Sequence, residues 1–249
     1  MAKRGRPKGS KNKAKKQTYI ALVIDRSGSM NDVRNEAFSG INEQLNTIRL
    51  NAKKGGKTFV TYIQFDDQID VVFDQTAAEK IQDITYSQYE PRGSTAMLDA
   101  IGHAIDGFQK TVTETSDTAY LLIVISDGYE NASSKENYAS LSEKIKKLEA
   151  TGKWTFTYML SNVDLEAMAK KLGSSAGNIV QFVSTGAGTK AAFTHSSNSS
   201  ATYMSSRATG ATSTPNFYTP DPNKNLSVTS TPPVNPIITS TDEQNTDPA

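Results

Sequence analysis

Apolar residues in the first part of the chain follow two patterns, a continuous run and a helical repeat. Residues 19–24 form a continuous apolar run, which predicts a strand buried on both faces. The next segment repeats apolar residues at three- and four-residue steps, which predicts a helix with one apolar face. Its members are Val33, Ala37, Phe38, Ile41, Leu45 and Ile48. The glycines within residues 53–57 then end this helix.

A hairpin is predicted next, because residues 58–65 and 68–73 both have strand-like composition and only Asp66 and Asp67 separate them. So short a connection makes the second strand an antiparallel edge strand. A short helix is expected near residues 77–83. Beyond it, apolar residues again recur at helical spacing, at Leu98, Ile101, Ile105, Phe108 and Val112.

The alternation of strands and helices continues as far as residue 206. The almost wholly apolar residues 119–125 predict a central parallel strand. The later segments are predicted as helix 138–149, strand 153–160, helix 164–172, strand 178–183 and a last polar helix over 190–206, which is expected to be marginal. This order predicts an α/β fold, a doubly wound, Rossmann-like, mostly parallel sheet with one antiparallel edge strand and helices on both faces.

Composition divides the chain into three parts. Its 249 residues are 36% hydrophobic, which allows one core-forming domain and some additional chain. Residues 1–17 are expected to be a basic, disordered arm, and residues 18–207 the folded domain. Residues 208–249 are rich in Thr, Ser, Asn and Pro and have too few large apolar side chains to offset their ordering entropy. We therefore expect a disordered tail there.

Charge is distributed unevenly, and the basic arm has a recognisable motif. The first 16 residues hold eight of the 27 basic residues and no acidic one, which leaves 19 basic against 26 acidic residues elsewhere. The arm resembles an AT-hook, whose core is Arg-Gly-Arg-Pro flanked by basic residues. That resemblance implies contact with the minor groove of A·T-rich DNA through Arg4, Gly5, Arg6, Pro7 and Lys8. A basic leader that binds polyanions loosely is the alternative.

Two absences in the sequence bear on location. No apolar segment follows the basic start and no stretch approaches 18 apolar residues, so neither a signal peptide nor a membrane span is predicted. Cysteine is absent altogether. Together these features favour a cytoplasmic protein, free or associated with the nucleoid, or in the host cytoplasm if the protein is viral.

Side chains that carry oxygen atoms follow the first predicted strand directly. Asp25, Ser27 and Ser29 stand at alternate positions in a Gly-containing turn. Carboxylate and hydroxyl oxygens are the hard ligands that Mg²⁺, Mn²⁺ and Ca²⁺ prefer. Ser29 could instead be the N-cap of the following helix. Two later residues favour the metal interpretation: Thr95 precedes a predicted helix, and Asp127 follows the strand at residues 119–125.

The order of these residues, D-x-S-x-S, then a loop threonine, then a strand-end Asp-Gly, resembles the von Willebrand factor type A domain. Domains of this family have a metal-ion-dependent adhesion site. The resemblance implies that Ser27 and Ser29 belong to such a site in this chain and bind the cation directly. Thr95 would bind directly or through water, and Asp25 and Asp127 largely through water. Mg²⁺ is the expected metal, with Mn²⁺ or Ca²⁺ possible, and a protein partner would offer a Glu or Asp side chain to it. Helix capping by Thr95 and loop solvation by Asp127 are the alternatives.

The same resemblance suggests roles for residues around the site. Asp66, Asp67, Glu130 and Asn131 would lie near its rim, where they either tune partner choice or act as ordinary turn residues. Ser126 is not expected to be a ligand. The best-studied members of the family couple metal ligation to a shift of the final helix. We predict metal ligation for this chain, but we do not predict a shift of its final helix.

The sequence therefore predicts a divalent-metal-dependent adhesion or assembly module, which the arm could tether to A·T-rich DNA. One alternative is an architectural or regulatory DNA-binding protein that uses the domain for assembly. A metal-dependent phosphoesterase is a weaker alternative, because a single metal site is recognisable. Of the two histidines, His103 is expected to be structural and His195 has no evident partner. We expect a protein that is not an enzyme.

Overall fold

The computed structural model describes residues 16–161 and 163–218. The arm residues predicted to contact DNA lie outside these ranges, namely Arg4, Gly5, Arg6, Pro7 and Lys8. The part of the predicted tail from residue 219 onward lies outside them as well.

The described chain is built on one six-stranded sheet of order β3-β2-β1-β4-β5-β6. Its strands are β1 Gln17–Asp25, β2 Lys57–Phe65, β3 Ile69–Ala77, β4 Thr118–Ser126, β5 Trp154–Ser161 and β6 Ile179–Phe182. Five strands run parallel, and β3 pairs with β2 in the antiparallel direction at one edge. The predicted fold class is confirmed.

Helices cover both faces of this sheet. They are α1 Arg34–Asn51, α2 Met97–Thr111, α3 Tyr138–Glu149, α4 Leu165–Leu172 and α5 Gly186–Ala208. Successive side chains of a strand point to opposite faces, so Ile20 and Leu22 of β1 join the apolar core under α1 and α5, whereas Ala21 and Val23 join the core under α2, α3 and α4. Among the described residues, no helix has both the length and the apolar character that crossing a bilayer requires.

The short helix expected near residues 77–83 is largely absent. Strand β3 extends through Ala77, which pairs with Phe59 of β2, and only a 3₁₀ turn, Ala78–Lys80, follows it. Ile81 and Ile84 are both buried, and Ile81 has extended backbone angles. Burying these two side chains against the core favours an extended path, and this tertiary gain overrides the local helical pattern.

The last helix, expected to be polar and marginal, is the longest helix described, and a large part of it is buried. It starts at Gly186, four residues earlier than predicted, where the side chain of Thr185 accepts a hydrogen bond from the backbone N–H of Gly188 at 3.2 Å. Its serines are small enough to let α5 approach α1 closely. A Cβ added to Gly40 of α1 would lie 2.2 Å from the ring of Phe193, so α5 packs directly onto this glycine.

Ordered chain continues beyond Ala208, where the tail was predicted to begin. Phe217 and Tyr218 are buried in the core that α1 and α5 cover. The backbone N–H of Tyr218 donates to the carbonyl of Gly177, and that of Phe217 donates to the Asn178 side chain. Two adjacent aromatic residues thus give this segment enough apolar surface to pack, and the boundary predicted at Ala208 is wrong by at least ten residues.

Candidate metal centre

The candidate metal centre lies at the carboxyl edge of the sheet, where β1 and β4 end side by side. The two strands are parallel neighbours, with Ile24 of β1 opposite Ile125 of β4. Asp25 ends β1, and Asp127 directly follows β4. Adjacent strands lie about 4.8 Å apart, so this register brings two distant parts of the sequence to one place.

Asp25 is the most enclosed of the five predicted ligands. Its side chain is fully buried. The backbone N–H of Ser27 donates to Oδ1 at 2.6 Å, and the hydroxyl of Ser126 donates to Oδ2 at 2.5 Å. The Tyr89 hydroxyl donates to the Asp25 carbonyl at 2.7 Å, which fixes the backbone as well. The carboxylate of Asp25 is therefore held in one orientation.

A chain of hydrogen bonds joins Ser27, Ser29 and Asp127. The hydroxyl oxygens of Ser27 and Ser29 are 3.0 Å apart, and the Ser29 hydroxyl donates to Oδ1 of Asp127 at 2.6 Å. Ser29 lies within a 3₁₀ turn, Gly28–Val33, and the N-cap of that turn is Ser27, whose side chain makes no capping hydrogen bond. Both serine hydroxyls are therefore directed to the centre rather than to a helix end.

Thr95 joins the other predicted ligands around Gly128. A Cβ built on Gly128 would lie 2.7 Å from Oγ1 of Thr95, 3.3 Å from Oγ of Ser27 and 3.4 Å from Oδ2 of Asp25. Oxygen atoms of three of the five predicted ligands thus surround one point that a glycine leaves free. Ser29 and Asp127 connect to the same group through the hydrogen bonds of Ser27 and Ser29.

The loop that carries Asn131 holds Thr95 in place. The backbone N–H of Thr95 donates to Oδ1 of Asn131 at 2.8 Å, and the N–H of Asn131 donates back to the Thr95 carbonyl at 3.0 Å. Next to it, Glu130 accepts a hydrogen bond from the backbone N–H of Leu98 in the first turn of α2. Both residues therefore stabilise loops, which is the ordinary-turn alternative for them.

Asp66 is buried, so it does not lie at the rim where the resemblance suggested. Its carboxylate oxygen Oδ2 is 2.9 Å from a guanidinium nitrogen of Arg26 and 2.9 Å from Nε of Arg92. Asp70 of β3 also pairs with Arg26, at 2.7 Å. The neighbouring Asp67 lies against Gly93, where an added Cβ would meet its Oδ1. The ion pairs among Arg26, Asp66, Asp70 and Arg92 stabilise the loop that leads to Thr95.

Burial raises the pKa of Asp25 to about 6, and the negative charge of Asp127 adds a smaller increase, whereas the hydrogen bonds from Ser126 and Ser27 act in the opposite direction. A raised carboxyl pKa means that the surroundings destabilise the ionised carboxylate relative to the protonated carboxyl group. A cation beside Asp25 would stabilise the ionised form.

The donor set fits a hard divalent cation. It consists of two carboxylates and three hydroxyls, all oxygen, which suits Mg²⁺, Mn²⁺ or Ca²⁺ rather than zinc or copper. Within residues 16–161 and 163–218, no three His, Asp or Glu side chains gather into a group that could hold a metal ion. Hydroxyl oxygens from Ser27, Ser29 and Thr95 would therefore have to supply the remaining ligands.

Two serines that are not among the predicted ligands hydrogen-bond to the carboxylates of the centre. Ser126 was not expected to be a ligand, and its hydroxyl donates to Oδ2 of Asp25. The hydroxyl of Ser184 donates to Oδ2 of Asp127 at 2.6 Å. Ser184 lies just after β6, at the same edge of the sheet, and this position after a predicted parallel strand was the available signal.

The two histidines lie on helices away from the ligand loops. His103, which was expected to be structural, lies on α2 and is exposed. His195 on α5 packs edge-on against the ring of Tyr218, with ring centroids 5.4 Å apart. Burial lowers the pKa of His195, which keeps the imidazole neutral.

A doubly wound sheet with a Ser- and Thr-rich loop cluster at its carboxyl edge is the architecture of a class of protein-interaction domains. The family model for the von Willebrand factor type A domain matches residues 20–195. The chain belongs to this family, whose members are protein-interaction and adhesion modules and are generally not enzymes. No curated protein sequence matches the chain.

Solved structures share this fold at low sequence identity. The von Willebrand factor domain of the type V pilus tip protein Mfa5 from Porphyromonas gingivalis is 10% identical, with a TM-score of 0.53 over 77% of this chain and 97% of that one. The minor pilin PilB from Streptococcus sanguinis is 9% identical, with a TM-score of 0.51 over 78% and 64%. A von Willebrand factor type A protein from Catenulispora acidiphila is 16% identical, with a TM-score of 0.47 over 77% and 43%. The present chain therefore spans less than half the length of the last of these.

Proposed function

We propose that this protein is a divalent-metal-dependent protein-binding module in which the metal held at the sheet edge captures an acidic side chain of a partner. The observation that carries the proposal is the arrangement around Gly128, whose missing side chain leaves space between oxygen atoms of Thr95, Ser27 and Asp25. Membership of a family of interaction modules supports the same function.

The chemistry of the donor set explains why an acidic partner would be chosen. Mg²⁺ would supply a site of positive charge with coordination positions open to an outside ligand. Ser27, Ser29 and Thr95 carry no charge, and the two carboxylates are partly engaged by Ser126, Ser184 and Ser29. A Glu or Asp of the partner is the protein side chain that best complements the remaining charge.

The first experiment is affinity capture from a lysate of the producing cells after nuclease treatment. Wild type and Asp25→Ala are each used with Mg²⁺ and with EDTA. We expect a set of proteins retained only by wild type with Mg²⁺. The matched control is Asp83→Ala, which removes an exposed carboxylate whose ion-pair partner within the described residues is Arg49, and it should retain the same proteins. Retention of the same proteins under all conditions would argue against capture through a metal.

Binding is proposed rather than catalysis because the centre has few groups suited to proton transfer. Its carboxylates already accept hydrogen bonds, and both histidines lie on helices away from the ligand loops. We expect no Mg²⁺-dependent hydrolysis of p-nitrophenyl phosphate or bis(p-nitrophenyl) phosphate. Turnover that is lost in Asp25→Ala would instead favour the phosphoesterase alternative.

The basic arm suggests a second interaction, with DNA. Its Arg-Gly-Arg-Pro sequence at residues 4–7 matches the AT-hook core, and minor-groove contacts of this kind combine arginine insertion with phosphate neutralisation. We propose that the arm tethers the domain to A·T-rich DNA. Wild type should bind an A·T-rich duplex more tightly than a G·C-rich one, and the double variant Arg4→Ala/Arg6→Ala should lose the preference. Equal binding of both duplexes by wild type would indicate loose polyanion binding only.

A further inference from the structure

Large apolar side chains are exposed beside the candidate metal centre. Tyr129, Leu165 and Val183 are 67%, 37% and 62% exposed, and they are three of the six large apolar residues of the described chain that are exposed. Each follows the carboxyl end of a different strand: Tyr129 follows β4, Leu165 follows β5 and Val183 follows β6. We call these three residues the apolar rim.

The apolar rim is tied to the centre at two points. Tyr129 is two residues beyond Asp127, and Val183 directly precedes Ser184, whose hydroxyl donates to Asp127 at 2.6 Å. Leu165 starts α4 immediately after Asp164, which caps this helix by accepting from the backbone N–H of Ala167. Because β5 lies between β4 and β6, with strands about 4.8 Å apart, the rim extends on the order of 10 Å along the sheet edge.

The opposite side of the centre has a different character. There Arg26 follows β1, Asp66 follows β2, Asp70 lies in β3 and Arg92 lies in the loop before α2. These four residues form an ion-pair group. The Arg92 side chain is 53% exposed. A partner that lies across the centre would therefore meet charge on one side and apolar surface on the other.

We propose that the partner of this module is a protein segment with an acidic side chain at the metal centre and large apolar side chains on one flank, which pack on the apolar rim. This inference rests on the proposed function, since the metal fixes the position of the acidic group. A small dicarboxylate would not suffice, because the rim spans three strands and needs a ligand of several residues to cover it. Burying apolar side chains on exposed apolar residues supplies binding free energy that the acidic contact alone would lack.

The test uses a displayed peptide library with a fixed central Asp or Glu and random flanks, selected on immobilised full-length wild type in Mg²⁺. Enriched peptides should carry large apolar residues at a constant distance on one side of the acidic residue. The peptide that binds best is then measured against Val183→Ser and Leu165→Ser. Each substitution should weaken binding by about tenfold, the effect expected for loss of one large apolar contact.

The matched control is Leu50→Ser. Leu50 is 74% exposed and lies near the carboxyl end of α1. That end of the helix precedes the start of β2, so it lies at the amino ends of the parallel strands, opposite the metal centre. This variant should bind the peptide as wild type does. All three substitutions replace exposed residues, so their melting temperatures should match that of wild type, and Mg²⁺ binding measured by calorimetry should be unchanged.

The possible outcomes separate this inference from the proposed function. Binding that requires Mg²⁺ and Asp25 but shows no apolar preference, or is equal in Val183→Ser, Leu165→Ser and Leu50→Ser, would overturn the apolar rim and leave metal-dependent capture standing. Selected peptides that bind equally in EDTA and to Asp25→Ala would overturn both. Metal-dependent binding with an apolar preference that Val183→Ser or Leu165→Ser removes would support both.

Discussion

At the scale of single residues, the centre depends on side chains that are small. Gly128 leaves free the point on which three predicted ligand oxygens converge, and the serines place hydroxyls there without filling the space. The sequence indicated all five candidate ligands because their residue types and order are distinctive. The sequence did not indicate Ser184. This serine reaches Asp127 only because β6 pairs with β5 and the loop after β6 then lies close to Asp127.

Gly128→Ala tests the space at the centre. The added methyl group would lie 2.7 Å from Oγ1 of Thr95, so either the threonine or the loop must move. We expect Mg²⁺ affinity, measured by isothermal titration calorimetry, to fall about tenfold or more, as overpacking of a fixed site costs on the order of 1–3 kcal/mol. Gly107→Ala on α2 is the control, since nothing lies within 4 Å of its added Cβ. Unchanged affinity in Gly128→Ala would place the metal elsewhere.

Ser184→Ala tests the hydrogen bond that orients Asp127. Removing a residue that positions a metal ligand typically lowers affinity about 10- to 100-fold, so the variant should bind Mg²⁺ at least about tenfold more weakly. Ser184→Thr keeps the hydroxyl and should restore binding. Ser205→Ala changes an exposed serine of α5 whose hydroxyl donates to the Ala201 carbonyl of the same helix, and this variant should bind as wild type does. If Ser184→Ala matched this control, Asp127 would need no support from the β6–α5 loop.

At the scale of elements, strong helical periodicity was a reliable guide where polar and apolar faces were distinct. Helix α3 occupies the predicted residues 138–149, with Asn137 accepting hydrogen bonds from the N–H groups of its first turn. Helix α5 shows where the pattern fails. Its buried face includes Ser196, Ser197, Ser199 and Ser200, which the sequence pattern predicts to be exposed to solvent. Ser197 and Ser200 can be buried because α1 supplies a polar partner for each of them.

Gln44 of α1 is one such partner. Its amide nitrogen donates to the Ser200 hydroxyl at 2.6 Å, and its amide oxygen accepts from the Ser197 hydroxyl at 3.0 Å. Gln44→Leu should lower the free energy of unfolding by about 2 kcal/mol, because two buried hydroxyls lose their partners. The triple variant Gln44→Leu/Ser197→Ala/Ser200→Ala should recover much of that loss in urea titrations. A triple variant no more stable than Gln44→Leu would show that packing, not hydrogen bonding, sets the cost.

At the scale of the whole molecule, the end of the described chain completes the fold. Arg207 is fully buried and pairs with Asp117 at 2.9 Å, while its Nε donates to the Thr18 hydroxyl, so the end of α5 is fixed to the starts of β1 and β4. The following segment returns to the core and buries Phe217 and Tyr218. A domain that stopped at residue 207 would leave this part of the core open.

Phe217→Ala measures what that segment contributes. Truncating a buried phenylalanine costs about 3 kcal/mol in typical cores, and Phe217 is 6% exposed, so the loss of unfolding free energy in urea titration should approach this value. Leu50→Ala, at an exposed position, should change it by less than about 0.5 kcal/mol. If Phe217→Ala were as stable as Leu50→Ala, the domain would not need the residues after Ala208.

The sequence by itself determined the order of strands and helices, the antiparallel edge strand and the residue types of the candidate centre, because these follow from local periodicity, short connections and a distinctive motif. Only the tertiary structure decided that the serine-rich face of α5 is buried and that Asp66 is buried and pairs with two arginines. The same holds for Phe217 and Tyr218, which belong to the core. Each of these depends on partners distant in sequence. Burial of a polar group is favourable only when such a partner is present, and a local pattern carries no information about it.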